Sequence, residues 1–269
     1  MRHVEPAVYI LAKSQVDHDE ARRWLDDLGA SDYDIPTDGT NAELLTTLAG
    51  KRCYLSFEPG LNPNVTRVRH SMVEFIENIL KSRHGSVLEH STYTFAIENV
   101  SRVFTAEMNR HRAGWAISEG SMRYIRFADI PFWMPFSIRE SDGDAPDIAD
   151  AKARTRAIFE RAFRQMEENY RELEEIWQLD ALREFKEKKK LTSMMRRIIG
   201  MGVATGGVWT GNLRAVRHVL SVRVDAAAEE EIAYVFGVIL KRMLEAEPTI
   251  LADFEQTDDG FWKPKYWKI

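Results

Sequence analysis

Two short stretches of the chain place charge where an apolar helical face is due to continue. In the first, Val100, Val103 and Phe104 begin a stripe whose next positions are Glu107, Met108 and His111, with Arg110 beside them. Ionised groups are costly to bury without partners, so such a continuation lines a cavity, a ligand or a subunit interface, or else marks a helix end emerging into water. In the second, Leu213, Val216 and Leu220 form a stripe that ends in Arg223, while Arg214, His218 and Ser221 share a neighbouring face with Arg217 alongside. That cluster suits an anion, or is ordinary surface charge.

Composition narrows the chemistry. With 37 Lys+Arg against 42 Asp+Glu, the net charge of -5 provides no global attraction to nucleic acid or anionic lipid, so an anionic ligand must be held by local arginines. A nucleic-acid-binding reading also lacks a basic stripe interleaved with aromatics. The single cysteine, Cys53, excludes an intrachain disulfide and a multi-cysteine metal site, and its neighbours Arg52 and Tyr54 do not activate a thiolate. The seven histidines, at 3, 18, 70, 84, 90, 111 and 218, form no tight metal-ligand motif. The run Lys186-Glu187-Lys188-Lys189-Lys190 reads as a solvated face.

The elements that must position these residues follow from periodicity. A chain of 269 residues, 44% hydrophobic, is expected to bury a sizeable core. Residues 14–29 predict a short helix around Ala21, Trp24 and Leu28, and residues 1 to about 45 read as an N-terminal extension. The apolar run Ala7 to Ala12 is too short to cross a membrane and has no basic leader, so a cytoplasmic protein with no membrane partner is expected. Apolar residues from Val68 to Leu80 predict a helix over 64–83, with Gly85 as its stop. Residues 91–97 suit a half-buried strand, and Ser101 can cap the helix behind it. Pro131, Pro135 and the stretch 141–146 predict a surface loop, followed by a long charged helical region over about 147–199. Further helices are expected over 212–222 and 229–244.

Three segments resemble the flavin-dependent thymidylate synthases, in the same order and spacing, across about residues 48–256. They are His84-Gly85-Ser86-Val87-Leu88-Glu89-His90; Arg110-His111-Arg112 followed by Ser118-Glu119-Gly120-Ser121-Met122-Arg123-Tyr124; and Thr210-Gly211-Asn212-Leu213-Arg214-Ala215-Val216-Arg217-His218 with Arg223 after it. The combination is far more specific than a lone Arg-His-Arg. The resemblance implies an α+β fold: a twisted, mostly antiparallel sheet flanked by helices, forming one domain over 1–269 and a homotetramer with shared active sites. It implies that Ser86, Glu89, Arg110, His111, Arg112, Asn212, Arg214 and His218 hold FAD. It implies that Glu107, Arg110, Glu119, Gly120, Ser121, Met122, Arg123, Arg223 and either Arg196 or its neighbour Arg197 form the pocket of a pyrimidine nucleotide. Arg223, Ser121 and His84 are the residues expected nearest the chemistry, with His84 bordering the folate and nicotinamide side.

The implied reaction is reductive methylation of uracil C5 in dUMP, UMP or both, with 5,10-methylene-tetrahydrofolate as carbon donor and NADPH as reductant. In this reaction the protein positions and polarises. A guanidinium at the uracil carbonyls, the role expected of Arg223, stabilises charge developing on the ring, and Arg123 with Ser121 suits the phosphate. A homologue that binds flavin or nucleotide without turnover is the competing expectation. The chain departs from the family between Arg112 and Ser121, where Ala113 to Gly120 is one residue longer than usual, which predicts relaxed discrimination at the ribose 2′ position. It departs also at Ala227, where many members carry histidine, at Gly200, where Pro is usual, and at Met201-Gly202.

Overall fold

The computed structural model describes residues 1–127, 129–139, 143–267 and 269. From the N-terminus the chain forms β1 (Arg2–His3), β2 (Ala7–Lys13), α1 (His18–Asp27), α2 (Asn41–Tyr54), α3 (Met72–Lys81) and a 3-10 turn at Gly85–His90. Next come β3 (Thr92–Ser101), α4 (Arg102–Met108), β4 (Trp115–Glu119), β5 (Pro131–Phe132), α5 (Pro146–Ile176) and α6 (Phe185–Met195). The remainder is β6 (Ala204–Asn212), α7 (Leu213–Arg223), α8 (Glu230–Ala246), β7 (Phe254–Gln256) and β8 (Trp262–Pro264). Ser141 and Asp142, part of the expected surface loop, lie outside the described residues.

A four-stranded sheet has the order β2-β3-β6-β4. Its neighbours run antiparallel. Asn212 N–H donates to the Gly114 carbonyl at one end of the β6/β4 pair (3.1 Å), and Gly120 N–H donates to that of Gly206 at the other (2.8 Å). Likewise Leu213 N–H bonds the Ser91 carbonyl, and Arg102 N–H that of Val203, at opposite ends of β3 and β6. For β2 and β3 the corresponding bonds are Ser14 N–H to Thr92 O and Asn99 Nδ2 to Glu5 O. Mixed helix and antiparallel sheet, as expected, is therefore the fold class. A short parallel pair, β1 with β5, and an antiparallel pair, β7 with β8, complete the strands among the described residues.

The caps explain where the helices begin. Ser101 Oγ accepts from Val103 and Phe104 N–H, as expected for α4, and Asn212 Oδ1 accepts from Ala215 N–H to start α7. Thr40 and Glu43 form a reciprocal capping box on α2, a helix not anticipated from sequence. Helix α3 begins only at Met72, because Ser71 Oγ takes the Glu74 N–H; the expectation of a helix from residue 64 is corrected. Its stop is Arg83 rather than Gly85. Arg83 has φ +59°, and His84 N–H reaches back to the Ile79 carbonyl. The expected helical stretch over 147–199 divides for the same reason: Gln178 at φ +45° lets Leu179 N–H bond the Glu174 carbonyl while its buried side chain anchors the turn.

By compactness the chain divides into two units, and each of the four sheet strands contributes residues to both. The first comprises Met1–Tyr9, Ala96–Arg110 and Ile117–Val208. Its core joins Phe127, Ile130, Phe132, Met134, Phe163, Tyr170, Leu179, Met195 and Val203, with Phe132 and Phe163 stacked at 4.4 Å. The second comprises Ile10–Phe95, His111–Ala116 and Trp209–Ile269. Its interior includes fully buried Trp209 of β6, Leu213, Val216 and Leu220 of the predicted stripe, and Ile232, Val235, Phe236, Ile239 and Leu240 of α8.

Candidate functional site

In the second unit, the Schellman turn at Arg83 and the 3-10 turn at Gly85–His90 carry His84, Ser86 and Glu89, all exposed. Glu89 Oε1 accepts from Arg214 Nη1 at 2.5 Å, joining the first and third sequence segments. Both side chains are close to half exposed, so the pair orients more than it stabilises. One turn along α7, exposed His218 sets its ring at 6.1 Å and 70° to that of His111. His111 Nε2 accepts from Arg223 Nε at 3.0 Å, which requires a neutral ring carrying its proton on Nδ1. Arg112 is exposed beside this cluster in sequence, and Asn212 is half-buried with its carbonyl oxygen committed to the helix cap.

Two cavities open on these residues. One, of 340 Å³, is lined by Arg214, Arg217, His218, Ser221, Val222, Trp267 and Ile269. The other, of 280 Å³, includes Cys53, Tyr54, Ile79, Arg83, His84, Gly85, Ser86 and again Arg214. Gly85 is needed for close approach: a Cβ there would lie 2.4 Å from the Ile269 carbonyl carbon. Arg217 belongs to a different chemistry. It is 3% exposed, ion-paired to Asp253 Oδ2 at 2.5 Å and bonded to the carbonyls of Ile250 and Tyr266, so its charge is spent inside the fold. Cys53 Sγ donates to the Ala49 carbonyl of its own helix.

In the first unit, α4 and the segment after β4 gather most of the second set. Glu107 is half-buried near the end of α4 and Arg110 is exposed just beyond it. Glu119 is held by Arg102 Nη1 on one carboxylate oxygen and by Asn109 Nδ2 at 2.9 Å on the other. Gly120 has no room for a side chain, since a Cβ would stand 2.7 Å from Thr205 Oγ1. The Ser121 carbonyl accepts from Tyr124 and Ile125 N–H, closing a turn that leaves Arg123 exposed. Buried Thr192 of α6 donates to the Arg123 carbonyl at 2.6 Å. Tyr124 stacks on Phe185, and Lys189 at its hydroxyl holds the phenol below its usual range. Met122 packs against the unit's hydrophobic core. Arg196, half-buried, caps α6, whereas Arg197 is exposed and donates back to the Ser193 carbonyl.

The set implied for flavin therefore falls in the second unit except for Arg110, and the set implied for nucleotide falls in the first except for Arg223. Sequence reading missed Arg102 and Asn109, which hold Glu119. The available signal was their spacing, seven residues apart and so on one face of a helix.

A family profile described as thymidylate synthase complementing protein matches residues 37–249. A flavin-dependent thymidylate synthase of Mycobacterium leprae is 28% identical over 230 residues, covering 86% of this chain and 87% of its own. One from Mycobacterium tuberculosis is 29% identical over 227 residues, covering 83% and 85%. Among solved structures, the UMP/dUMP methylase PolB from Streptomyces cacaoi has a similar fold, with TM-score 0.61 at 19% identity, 91% of this chain and 92% of that one, when bound with 5-Br UMP. With 5-Br dUMP the TM-score is 0.62, also at 19% identity. The profile spans most of the chain, and the resemblance carried by the three segments holds: the protein belongs to the thymidylate synthase complementing protein family, that of the flavin-dependent thymidylate synthases.

Proposed function

We propose that this protein methylates C5 of the uracil ring in dUMP, in UMP, or in both, using FAD, 5,10-methylene-tetrahydrofolate and NADPH, in a homotetramer whose sites draw on more than one subunit. The observation that carries the reading is the junction of Glu89 with Arg214 and of His111 with Arg223 and His218, three distant sequence segments joined in one unit.

The donor set there fits a flavin dinucleotide. Exposed Arg214 faces both cavities and offers charge to a diphosphate, while the imidazoles of His111 and His218 and the exposed ring of Tyr54 offer flat partners to ring systems. Ser86, Glu89, Arg110, Arg112 and Asn212 are the further residues assigned to hold it. Bound flavin supplies the hydride that converts a methylene into a methyl group. The protein's part is to bind and polarise. Arg223, oriented by His111, presents donors to the uracil carbonyls and stabilises negative charge as C5 becomes nucleophilic. Arg123, Ser121 and the backbone of the turn receive the phosphate, with Glu107, Glu119, Gly120 and Met122 shaping the pocket. Arg196 is assigned to the nucleotide ahead of Arg197, whose guanidinium is turned back onto the last turn of α6. His84 takes the folate and nicotinamide side.

Tolerance of the ribose 2′-hydroxyl is part of the proposal. The stretch Ala113 to Gly120, expected to be one residue longer than the family's usual spacing, begins in a tight turn in which Trp115 N–H meets the Arg112 carbonyl and Gly114 has φ +76°. The fold likeness is to a methylase whose structures hold both a ribo- and a deoxyribonucleotide analogue. The test is turnover of dUMP and UMP in parallel by purified, flavin-loaded protein with NADPH and methylene-tetrahydrofolate. Methylated product from either nucleotide supports the reaction, and product from both supports the relaxed pocket. A yellow protein that methylates neither is a binding homologue, and a preparation that takes up no FAD ends the reading.

A further inference from the structure

We infer that Arg102 is a positioning residue that locks Glu119 and the turn after it into one conformation, so that the nucleotide meets a pre-ordered segment; this rests on the assignment of that segment to the nucleotide. Arg102 opens α4 and Asn109 closes it, two turns apart on the same face. Arg102 Nη1 donates to Glu119 Oε1, Asn109 Nδ2 donates to Oε2 at 2.9 Å, and Arg102 Nη2 donates to the Gly120 carbonyl at 2.6 Å. Each carboxylate oxygen thus has its own donor, and the carboxylate cannot turn without breaking one of them. A single planar guanidinium also ties that side chain to the backbone of the next residue, a task a lysine's point charge does not reproduce.

The other side of the same backbone is fixed as well. Gly120 N–H donates to the Gly206 carbonyl at 2.8 Å, so the residue between Glu119 and Ser121 is bonded through both its N–H and its carbonyl. The arginine and glutamate side chains are only 18% and 17% exposed, where solvent screening is weak. Arg102 Nε is buried with no hydrogen-bond partner among the described residues, so the guanidinium directs its satisfied donors at this segment alone. A partly buried pair with an unsatisfied donor is a poor device for stability and a good one for geometry. A ligand received by an already ordered segment has less ordering entropy to overcome.

The test compares wild type with R102M and R102K, by amide hydrogen exchange of the nucleotide-free, flavin-loaded protein and by steady-state kinetics. Loss of a charge-assisted fork is expected to speed exchange of the Gly120, Tyr124 and Ile125 amides by about tenfold or more in R102M, with α7 amides unchanged. The nucleotide KM is expected to rise by about tenfold with kcat within about twofold, and R102K to fall between R102M and wild type. Unchanged exchange at these amides in both variants overturns the positioning role, as does R102K matching wild type throughout. Faster exchange with an unchanged KM overturns its link to the nucleotide. If R102M does not fold, R102K carries the same readouts. If wild type itself turns over no nucleotide, the proposed function fails, while the exchange data still decide whether Arg102 orders the segment.

Discussion

Arg223 shows how a side chain's task depends on its neighbours. It is the last residue of α7, half-buried, and its Nε is bonded to the His111 ring from a distant segment. A lysine at 223 would keep the charge and lose the planar fork. For R223K, kcat is expected to fall by about 100-fold or more in single-turnover methylation, the scale of losing a preorganised donor, with the flavin absorbance retained. A loss of less than about threefold would remove Arg223 from the chemistry. The arginines of α7 also mark what residue types alone leave open. Sequence placed Arg214, Arg217 and Arg223 in one basic cluster, yet Arg217 is consumed by buried Asp253, Arg214 pairs in the open with Glu89, and Arg223 meets an imidazole. Helical spacing fixes which positions are near one another; the partner of each comes from elements far along the chain.

At the scale of elements, helices with a strong stripe and a capping residue were legible. Helices α4, α7 and α8 start where Ser101, Asn212 and Glu229 cap them. Strand β6 was not legible, because Gly206, Gly207 and Gly211 weaken a strand pattern; at Gly211 the absent side chain serves close packing, since a Cβ there would lie 2.9 Å from the Trp115 ring. Helix α2 was hidden for another reason: it buries polar groups on tertiary partners, Lys51 among them at 1% exposure. Lys51 Nζ donates to the Ser56 and Arg69 carbonyls and lies near the rings of Tyr33 and Phe75, contacts that favour the ammonium. Burial opposes them and, with the charge of Arg69, brings its pKa down to about 8 from 10.5. Between these values the unfolded chain binds more protons at Lys51 than the folded one, so this residue's contribution to stability rises with pH across that window. Chemical denaturation between pH 8 and 10 is expected to show that rise in wild type and not in K51M; parallel curves would refute a depressed Lys51. Above pH 10 Tyr33, pushed up to about 12 by burial, acts in the opposite direction.

At the scale of the molecule, the residues assigned to flavin and to nucleotide fall mainly in different compact units. If the proposed tetramer builds each site from more than one subunit, an inactive R123A protein and an inactive H218A protein should complement each other. Co-expression of the two is expected to form mixed oligomers with activity at least about tenfold above either variant alone. Activity no higher than the two variants separately would mean that one protomer supplies the whole site. The sequence by itself determined the family, the cap of α4, the positions of helices α7 and α8, and the identities of the charged residues that interrupt apolar faces, because these follow from local spacing and motif order. Only the tertiary structure decided that Arg217 is internal, that Arg223 is seated on His111, and that Arg102 and Asn109 hold Glu119. Those outcomes depend on which distant backbone brings an acceptor within about 3 Å, the reach of a hydrogen bond, and no periodicity along the chain encodes that distance.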